Sequence, residues 1–133
     1  MKIAARCFLL LALWRVSGVH AQELVVIVSP AAPAINKEQV MELYLGRGNG
    51  WTALDQVATS QIFAEFYKKA LGRDAAQVKA IWSKILFTGR GVPPEQLRDS
   101  EAVKKAVAAN PKAVGYIEKS AVDASVRVVL AVN

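Results

Sequence analysis

Between residue 22 and the end of the chain, the first and the last segments consist mainly of aliphatic and β-branched residues, with no alternation of polar residues. Residues 24–28 (LVVIV) form a continuous apolar run, which predicts a strand that is buried on both faces of a sheet. Residues 126–132 are again mostly β-branched and predict the last strand. Because both segments are apolar enough to be buried, we expect them to lie side by side. Weaker runs at 54–57 and 113–117 predict two further strands.

Four segments between the first and last strands carry apolar residues at helical spacing. Each begins at a residue type that caps helices: Asn36 with Gln39, Thr59 or Ser60, Asp74 with Gln77, and Asp99 or Ser100. Gly46 can supply the left-handed residue that ends the first helix, and Pro111 prevents the fourth from continuing. The order β–α–β–α–α–α–β–β predicts an α/β domain.

Aromatic residues at helical spacing are interpreted as core rather than as the lining of a pocket. The set that we expect to be packed is Trp51, Phe63, Phe66, Tyr67, Trp82 and Phe87. The hydroxyl of Tyr116 could reach a cleft, but a buried tyrosine more commonly just hydrogen-bonds the backbone.

The first 21 residues have the pattern of a secretory signal peptide. Lys2 and Arg6 precede a short apolar run. Two small residues, Val19 and Ala21, stand at the positions that a signal peptidase recognises. We therefore expect cleavage after Ala21 and a periplasmic domain of residues 22–133.

An uncleaved N-terminal anchor is the alternative. The apolar run is interrupted at Arg15, and it is shorter than the roughly 20 residues that a membrane-spanning helix needs. Cleavage is the interpretation that we adopt, and we expect no membrane insertion after it.

Charge and cysteine content exclude several function classes. The net charge of +6 falls to +3 for residues 22–133, which hold 14 basic and 11 acidic side chains, too mild a balance for a nucleic-acid-binding protein. Cys7 and His20 are the single cysteine and histidine, and both lie in the predicted signal peptide. The remaining chain has no thiolate, imidazole base or ordinary zinc ligand set, so we predict no catalytic residues, no metal and no cofactor.

Three segments together resemble a known family of exported proteins. They are residues 40–51 (VMELYLGRGNGW), 55–67 (DQVATSQIFAEFY) and 109–117 (ANPKAVGYI). Their order is similar to that in the phosphate-type periplasmic substrate-binding proteins of ABC transporters, in which a helix ending in Phe-x-Gly precedes a Trp, a Gly-Ser turn opens a helix with an inner Phe, and a Pro-x-Ala-x-Gly-Tyr strand follows. The matching residues are Tyr44, Leu45, Gly46, Trp51, Phe66, Pro111, Ala113, Gly115 and Tyr116.

The resemblance implies a fold for this chain. The family's proteins have two lobes that close over an oxyanion, whereas about 112 residues suffice for one lobe. The implied fold class is α/β, a single lobe that resembles half of a type II periplasmic binding protein, with a mixed sheet flanked by about four helices. The chain is most similar to the family's short, single-domain members.

The resemblance also implies where an oxyanion would bind. The family's phosphate turn has the pattern Arg-x-x-Gly-Ser-Gly-Thr, and Ser60 falls on its serine when Phe66 is matched to the helix phenylalanine. Gln56 stands where the arginine would be, and Thr59 stands at the first glycine. Loss of the arginine removes a bidentate, permanently charged partner, which predicts weak binding.

Four residues are therefore the candidate ligand contacts: Thr59, Ser60, Arg47 and Arg90. Thr59 and Ser60 can present hydroxyls and free backbone N–H groups at a helix start, or can simply cap that helix. Arg47 and Arg90 lie beside glycines in loops and are natural replacements for the missing arginine, or else solvated loop charges.

Two functions remain open. One is a periplasmic binding module for phosphate or a similar small oxyanion, connected with transport or sensing. The other is a non-enzymatic interaction module that docks on a membrane sensor, porin or transporter without a ligand of its own. A polar, basic cleft would favour the first, and an exposed apolar patch would favour the second.

Overall fold

The computed structural model describes residues 23–48 and 50–132. The predicted signal peptide, with Cys7 and His20, lies outside these residues. Five strands form one sheet: β1 (Leu24–Val28), β2 (Thr52–Gln56), β3 (Glu95–Leu97), β4 (Ala113–Glu118) and β5 (Arg127–Val132).

The sheet is mixed, with the strand order β3-β2-β4-β1-β5. Strand β2 pairs in parallel with both β3 and β4, whereas β1 runs antiparallel to its neighbours β4 and β5. The first and last strands therefore lie side by side, as the sequence predicts. The first is fully buried, but β5 is an edge strand with mostly exposed or half-buried residues, so the prediction that β5 is buried was wrong.

Four α-helices flank the sheet: α1 (Lys37–Tyr44), α2 (Gln61–Phe66), α3 (Ala75–Thr88) and α4 (Ser100–Ala109). The capping pairs Asn36–Gln39 and Asp74–Gln77 form as predicted, with reciprocal bonds of 2.8 and 2.9 Å. Where the sequence left two residues open, Ser60 caps α2 and Asp99 caps α4. The predicted second helix is continued by a π-helical turn, Tyr67–Leu71, and ends at Gly72 with a left-handed φ of 63°.

The sheet is covered on both faces, which explains why β1 has no polar alternation. Leu24, Val26 and Val28 of β1 contact the core beneath α1, α2 and α3, whereas Val25 and Ile27 contact the core beneath α4. Alternate side chains of a strand point to opposite faces, so each β1 residue meets an apolar layer.

Two features differ from the sequence prediction. The short strand β3 was not predicted, because its residues Glu95–Leu97 (EQL) are polar or half-exposed and the strand exists through its pairing with β2. Phe87 was predicted to be packed, but its side chain is 93% exposed. At 3.6 residues per turn it lies about 140° around α3 from the buried Trp82, which places it on the outer face.

No helix in the described part of the chain is long and apolar enough to span a bilayer. The parallel arrangement of β3, β2 and β4 gives the sheet two distinct ends, one where these strands begin and one where they finish. The candidate residues are distributed between those two ends.

Candidate functional site

The four candidate residues lie in two separate places. Thr59 and Ser60 follow the last residue of β2, whereas Arg47 and Arg90 lie where β2 and β3 begin. The five residues of β2 separate the two places by roughly 15 Å at about 3.3 Å per residue. One small oxyanion therefore cannot contact Ser60 and the two arginines together.

Arg47 and Arg90 line one cleft of about 750 Å³, which we call the arginine cleft. It is bounded by the loop after α1, the loop after α3 and the first residues of β2 and β3. Its lining includes Arg47, Gly48, Trp51, Thr52, Arg90 and Gly91.

Gly46 allows the two loops of the arginine cleft to approach each other. Its φ is 79°, and a Cβ atom at this position would lie 2.5 Å from Cδ1 of Ile85 on α3. The left-handed backbone favours glycine, and a Cβ atom would in addition require the Ile85 side chain to shift where the end of α1 packs against α3. The motif Tyr44-Leu45-Gly46 therefore sets the geometry that brings Arg47 towards Arg90.

The arginine cleft has more positive than negative charge around it. Arg47 pairs with Glu42 at 3.2 Å, while Arg90 makes no ion pair with any residue that the structure describes. Lys112 Nζ lies 5.4 Å from the ring centroid of Trp51, which adds a third cation at this end of the sheet. Glu95 is the acidic residue of the lining. Guanidinium groups in such a cleft can bind oxyanions bidentately.

At the other end of β2, Ser60 acts as a helix cap. Its Oγ accepts a hydrogen bond from the backbone N–H of Phe63 at 3.1 Å, and the side chain is half-buried. Thr59 is exposed. The hydroxyl hydrogen of Ser60 stays available for donation, so this position offers one neutral donor.

Gln56, which the resemblance aligns with the arginine of the phosphate turn, makes its side-chain hydrogen bonds within the fold. Its side chain is buried, and Nε2 donates to Ser100 Oγ at 2.9 Å and to the backbone oxygen of Tyr116 at 3.1 Å. The residue therefore ties β2 to β4 and to the start of α4. It does not replace the arginine as a ligand contact.

A buried carboxylate beside Gln56 was not identified from the sequence. Asp55 is 3% exposed, and its Oδ2 accepts a hydrogen bond from the hydroxyl of Tyr67 at 2.5 Å. Oδ1 accepts from the hydroxyl of Tyr116 and from the backbone N–H of Gln56, the latter at 2.9 Å. The Tyr116 hydroxyl thus hydrogen-bonds the backbone, as the sequence suggested, by accepting from the N–H of Gln56 at 3.2 Å, and it also donates to the carboxylate. We call Asp55, Tyr67 and Tyr116 the buried carboxylate cluster.

Burial decides the ionisation of the buried carboxylate cluster. Loss of solvent raises the pKa of Asp55 from 3.8 to about 6, although the hydrogen bonds from Tyr116, Tyr67 and Gln56 lower it in part. Burial, and then the charge of Asp55, raise the pKa of both tyrosines well above 10. The cluster holds no nucleophile with a lowered pKa, and each hydroxyl is used internally.

An apolar groove of about 530 Å³ lies between α3 and the strands β2 and β3. Phe63, Val78, Trp82, Leu86 and Pro94 are among its lining residues. The Trp82 ring also borders the arginine cleft, and its Nε1 is buried without a hydrogen-bond partner among the described residues. The indole lies close enough to lower the pKa of Tyr67, but outside hydrogen-bond geometry.

Solved structures of phosphate-transport proteins share this fold. An ABC-type phosphate transport receptor from Vibrio cholerae superposes with a TM-score of 0.63 at 19% sequence identity, covering 81% of this chain and 45% of that one. A substrate-binding protein of a phosphate ABC transporter from Clostridium perfringens, with bound phosphate, gives a TM-score of 0.62 at 20% identity, covering 81% and 44%. No family model matches the sequence, and no curated protein matches it.

These similarities establish the fold and its extent. The chain spans less than half the length of the two phosphate-transport proteins, and its mixed five-stranded sheet with four helices fits a single lobe. The fold class implied by the sequence is therefore confirmed. The observed architecture is one α/β lobe of the type found in phosphate ABC transporter binding proteins.

Proposed function

We propose that this chain is an exported solute-binding-like protein that holds phosphate or a similar small oxyanion weakly, in connection with transport or sensing. The observation that carries the proposal is that Arg47 and Arg90, both candidates from the sequence, line the same cleft. The fold supports it, since the two similar solved structures are described as phosphate transport proteins and one holds phosphate.

We expect weak binding because the arginine cleft is open to solvent. Water and salt screen the interaction of exposed charges, and the residues that the structure describes form one lobe, which leaves the cleft open on one side. Arg47 is also shared with Glu42, so part of its charge is already neutralised. We expect a dissociation constant in the micromolar range or above, and a clear loss of affinity as salt is raised.

Thr59 and Ser60 form a second proposed position for the oxyanion. This position matches the serine of the family's phosphate turn, but it offers hydroxyl donors and no arginine, and the Ser60 Oγ already accepts from Phe63. We therefore expect it to fill at higher ligand concentrations than the arginine cleft.

A docking function is the second candidate, and a specific observation favours it. Leu86, Phe87 and Val92 are large apolar side chains that are more than half exposed, on and just after the end of α3. A single lobe with such a surface is suited to binding a membrane sensor, porin or transporter, with or without an ion in the arginine cleft.

Both functions presuppose export to the periplasm. We propose that the signal peptide, residues 1–21, is removed between Ala21 and Gln22, leaving the domain of residues 22–133. Intact-mass analysis of a periplasmic extract should give the mass of the chain that begins at Gln22. Protein that retains Met1 and sediments with membranes would show that the segment is an anchor.

Isothermal titration at low salt tests oxyanion binding directly, with phosphate, sulfate and acetate as ligands. We expect heat with phosphate and sulfate, and a fall in affinity of roughly 10- to 150-fold in Arg90→Gln, since a charge-assisted hydrogen bond contributes about 1.5 to 3 kcal/mol. Arg98→Gln is the matched control, because Arg98 is exposed and does not line the cleft.

The titration also has results that contradict the proposal. Absence of heat with every oxyanion at millimolar concentration would leave the docking function in its place. Equal affinity in Arg90→Gln, Arg47→Gln and the wild type would show that the oxyanion does not bind in the arginine cleft.

A further inference from the structure

The end of α3 presents an unusual concentration of exposed apolar side chains. Among the described residues, the large hydrophobic side chains that are exposed are Leu86, Phe87, Val92 and Val128, and three of these four lie within seven residues. We call residues 86–92 the tip segment. Phe87 and Val92 are 93% and 84% exposed, so the fold itself gains almost nothing from either side chain.

A basic groove of about 570 Å³ adjoins the tip segment. Four cations line it, namely Arg47, Arg73, Lys84 and Arg90, together with the half-buried Ile81 and Ile85. Its lining contains no acidic side chain, and the described acid that pairs with one of its cations is Glu42, on Arg47. The groove therefore combines an apolar floor with a net positive charge.

The chemistry of this surface fits an acidic protein segment better than a small ion or a bilayer. A small oxyanion would use the cations, but it would make no use of Phe87 or Leu86. A bilayer surface would meet the tip segment, but it would leave a concave groove beside it unfilled. An extended or helical segment with carboxylates and a large apolar side chain can occupy both features, since charge complementarity and a buried apolar anchor are how such interfaces gain specificity and affinity.

We propose that the tip segment and the basic groove form a docking surface for an acidic segment of a partner protein, a segment that carries at least one large apolar side chain. The carboxylates lie against Arg73, Lys84 and Arg90, and the apolar side chain packs against Phe87, which lies one helical turn beyond Lys84 on α3. This inference deepens the docking candidate and rests on it, while oxyanion binding can stand or fall separately.

Separation from the oxyanion site follows from the residues involved. Arg73, Lys84, Leu86 and Phe87 do not line the arginine cleft, whereas Arg47 and Arg90 belong to both features. Variants at the first four residues therefore test docking, and a phosphate titration of the same variants reports separately on the proposed oxyanion site.

The probe is a display library of random peptides of about 12 residues, selected on the wild-type protein at low salt, with the enriched sequences then synthesised and titrated. We expect enrichment of acidic sequences with one or more Leu, Phe or Trp. The affinity of a selected peptide should fall at least about 30-fold in the double variant Arg73→Glu, Lys84→Glu, and at least about fivefold in Phe87→Ser. It should also fall about fivefold or more as salt rises from about 0.05 to 0.3 M.

Matched controls lie elsewhere on the surface. Lys37→Glu with Lys105→Glu makes the same change in net charge at exposed positions outside the groove, and Val128→Ser removes an exposed apolar side chain from β5. Both controls should bind the selected peptides as the wild type does, and melting temperatures of all variants should show that they are folded.

Several outcomes would overturn the proposal. These are the absence of enrichment, enrichment without acidic residues, or equal binding by the wild type and the Arg73→Glu, Lys84→Glu variant. Sedimentation with vesicles of phosphatidylglycerol and phosphatidylcholine tests whether the surface binds a membrane. Vesicle binding that depends on Phe87, in the absence of peptide binding, would assign the surface to a membrane instead.

Discussion

Polar side chains near the two ends of strand β2 differ in burial and in their partners. At the end of the strand, Asp55 and Gln56 are buried, and their hydrogen-bond partners are other residues of the fold. Where the strand begins, Arg47 and Arg90 lie in an open cleft, and one of them has no ionic partner among the described residues. The buried polar groups therefore serve stability, whereas the capacity to bind resides where charge is not neutralised internally.

The contrast is physical as well as geometric. A buried polar group that loses its partner destabilises the fold by more than the intact hydrogen bond stabilised it. Clusters of buried polar groups are therefore sensitive to substitution. An exposed arginine or phenylalanine contributes little to folding and can be replaced without loss of structure. Variants at the two ends of β2 should therefore separate stability from binding.

The largest expected effect is that of Asp55→Ala. The change leaves the hydroxyls of Tyr67 and Tyr116 without an acceptor in the core, and we expect a loss of about 3 to 5 kcal/mol in the free energy of unfolding. That corresponds to roughly 10 to 20 °C in melting temperature. Asp123→Ala is the control, because Asp123 is an exposed carboxylate, and its loss should change the stability much less. Equal losses in the two variants would contradict the role of the buried carboxylate cluster.

The pH dependence of stability gives the next effect. The pKa of Asp55 is about 6 in the folded chain and 3.8 as the reference value, so the folded state binds more protons between these pH values. The contribution of this group is fully present below pH 3.8 and is lost as pH rises through 6, a change of about 3 kcal/mol at 1.36 kcal/mol per pKa unit.

The matched variant for this prediction is Asp55→Asn, which keeps the shape of the side chain and cannot ionise. As pH rises from about 4 to 7, the melting temperature of the wild type should fall by roughly 10 °C relative to that of the variant. Parallel curves for the two proteins would mean that Asp55 titrates in the folded state as it does in the unfolded chain.

Much of this fold could be predicted because its signals are local. The caps at Asn36, Ser60 and Asp74 depend on residues three positions apart, and Gly46 and Gly72 end their helices by backbone preference. The apolar run of β1 reports burial on both faces, whichever partners supply it.

The buried carboxylate cluster could not be predicted from local pattern. Asp55 meets Tyr67 and Tyr116 across 12 and 61 positions of sequence, so no short motif joins them. The sequence does contain one indication, an aspartate inside the predicted strand 54–57, since a carboxylate in a buried strand requires partners. The separation of Ser60 from Arg47 and Arg90 likewise depends on tertiary structure, because it follows from the direction in which β2 runs.

Ser60 follows the buried end of β2, and it is also a proposed ligand contact. Ser60→Ala removes the bond to the N–H of Phe63, and we expect a loss of about 1 kcal/mol in the free energy of unfolding. The phosphate affinity of the arginine cleft should be unchanged in the same titration. A fall in that affinity of fivefold or more would move the principal oxyanion position to the start of α2.

The smallest change in stability is expected for Phe87→Ser, because the fold makes almost no use of this aromatic side chain. Phe66 stacks on Tyr116 with a centroid distance of 3.8 Å and is fully buried, so Phe66→Ala should cost about 3 to 5 kcal/mol. Phe87 is almost fully exposed, so Phe87→Ser should change the free energy of unfolding by under about 0.5 kcal/mol. Chemical denaturation of both variants measures the difference. A loss above about 1 kcal/mol in Phe87→Ser would mean that the ring packs against the lobe in solution and is not free to receive a partner, whereas an unchanged stability leaves the whole apolar surface of that ring available for docking.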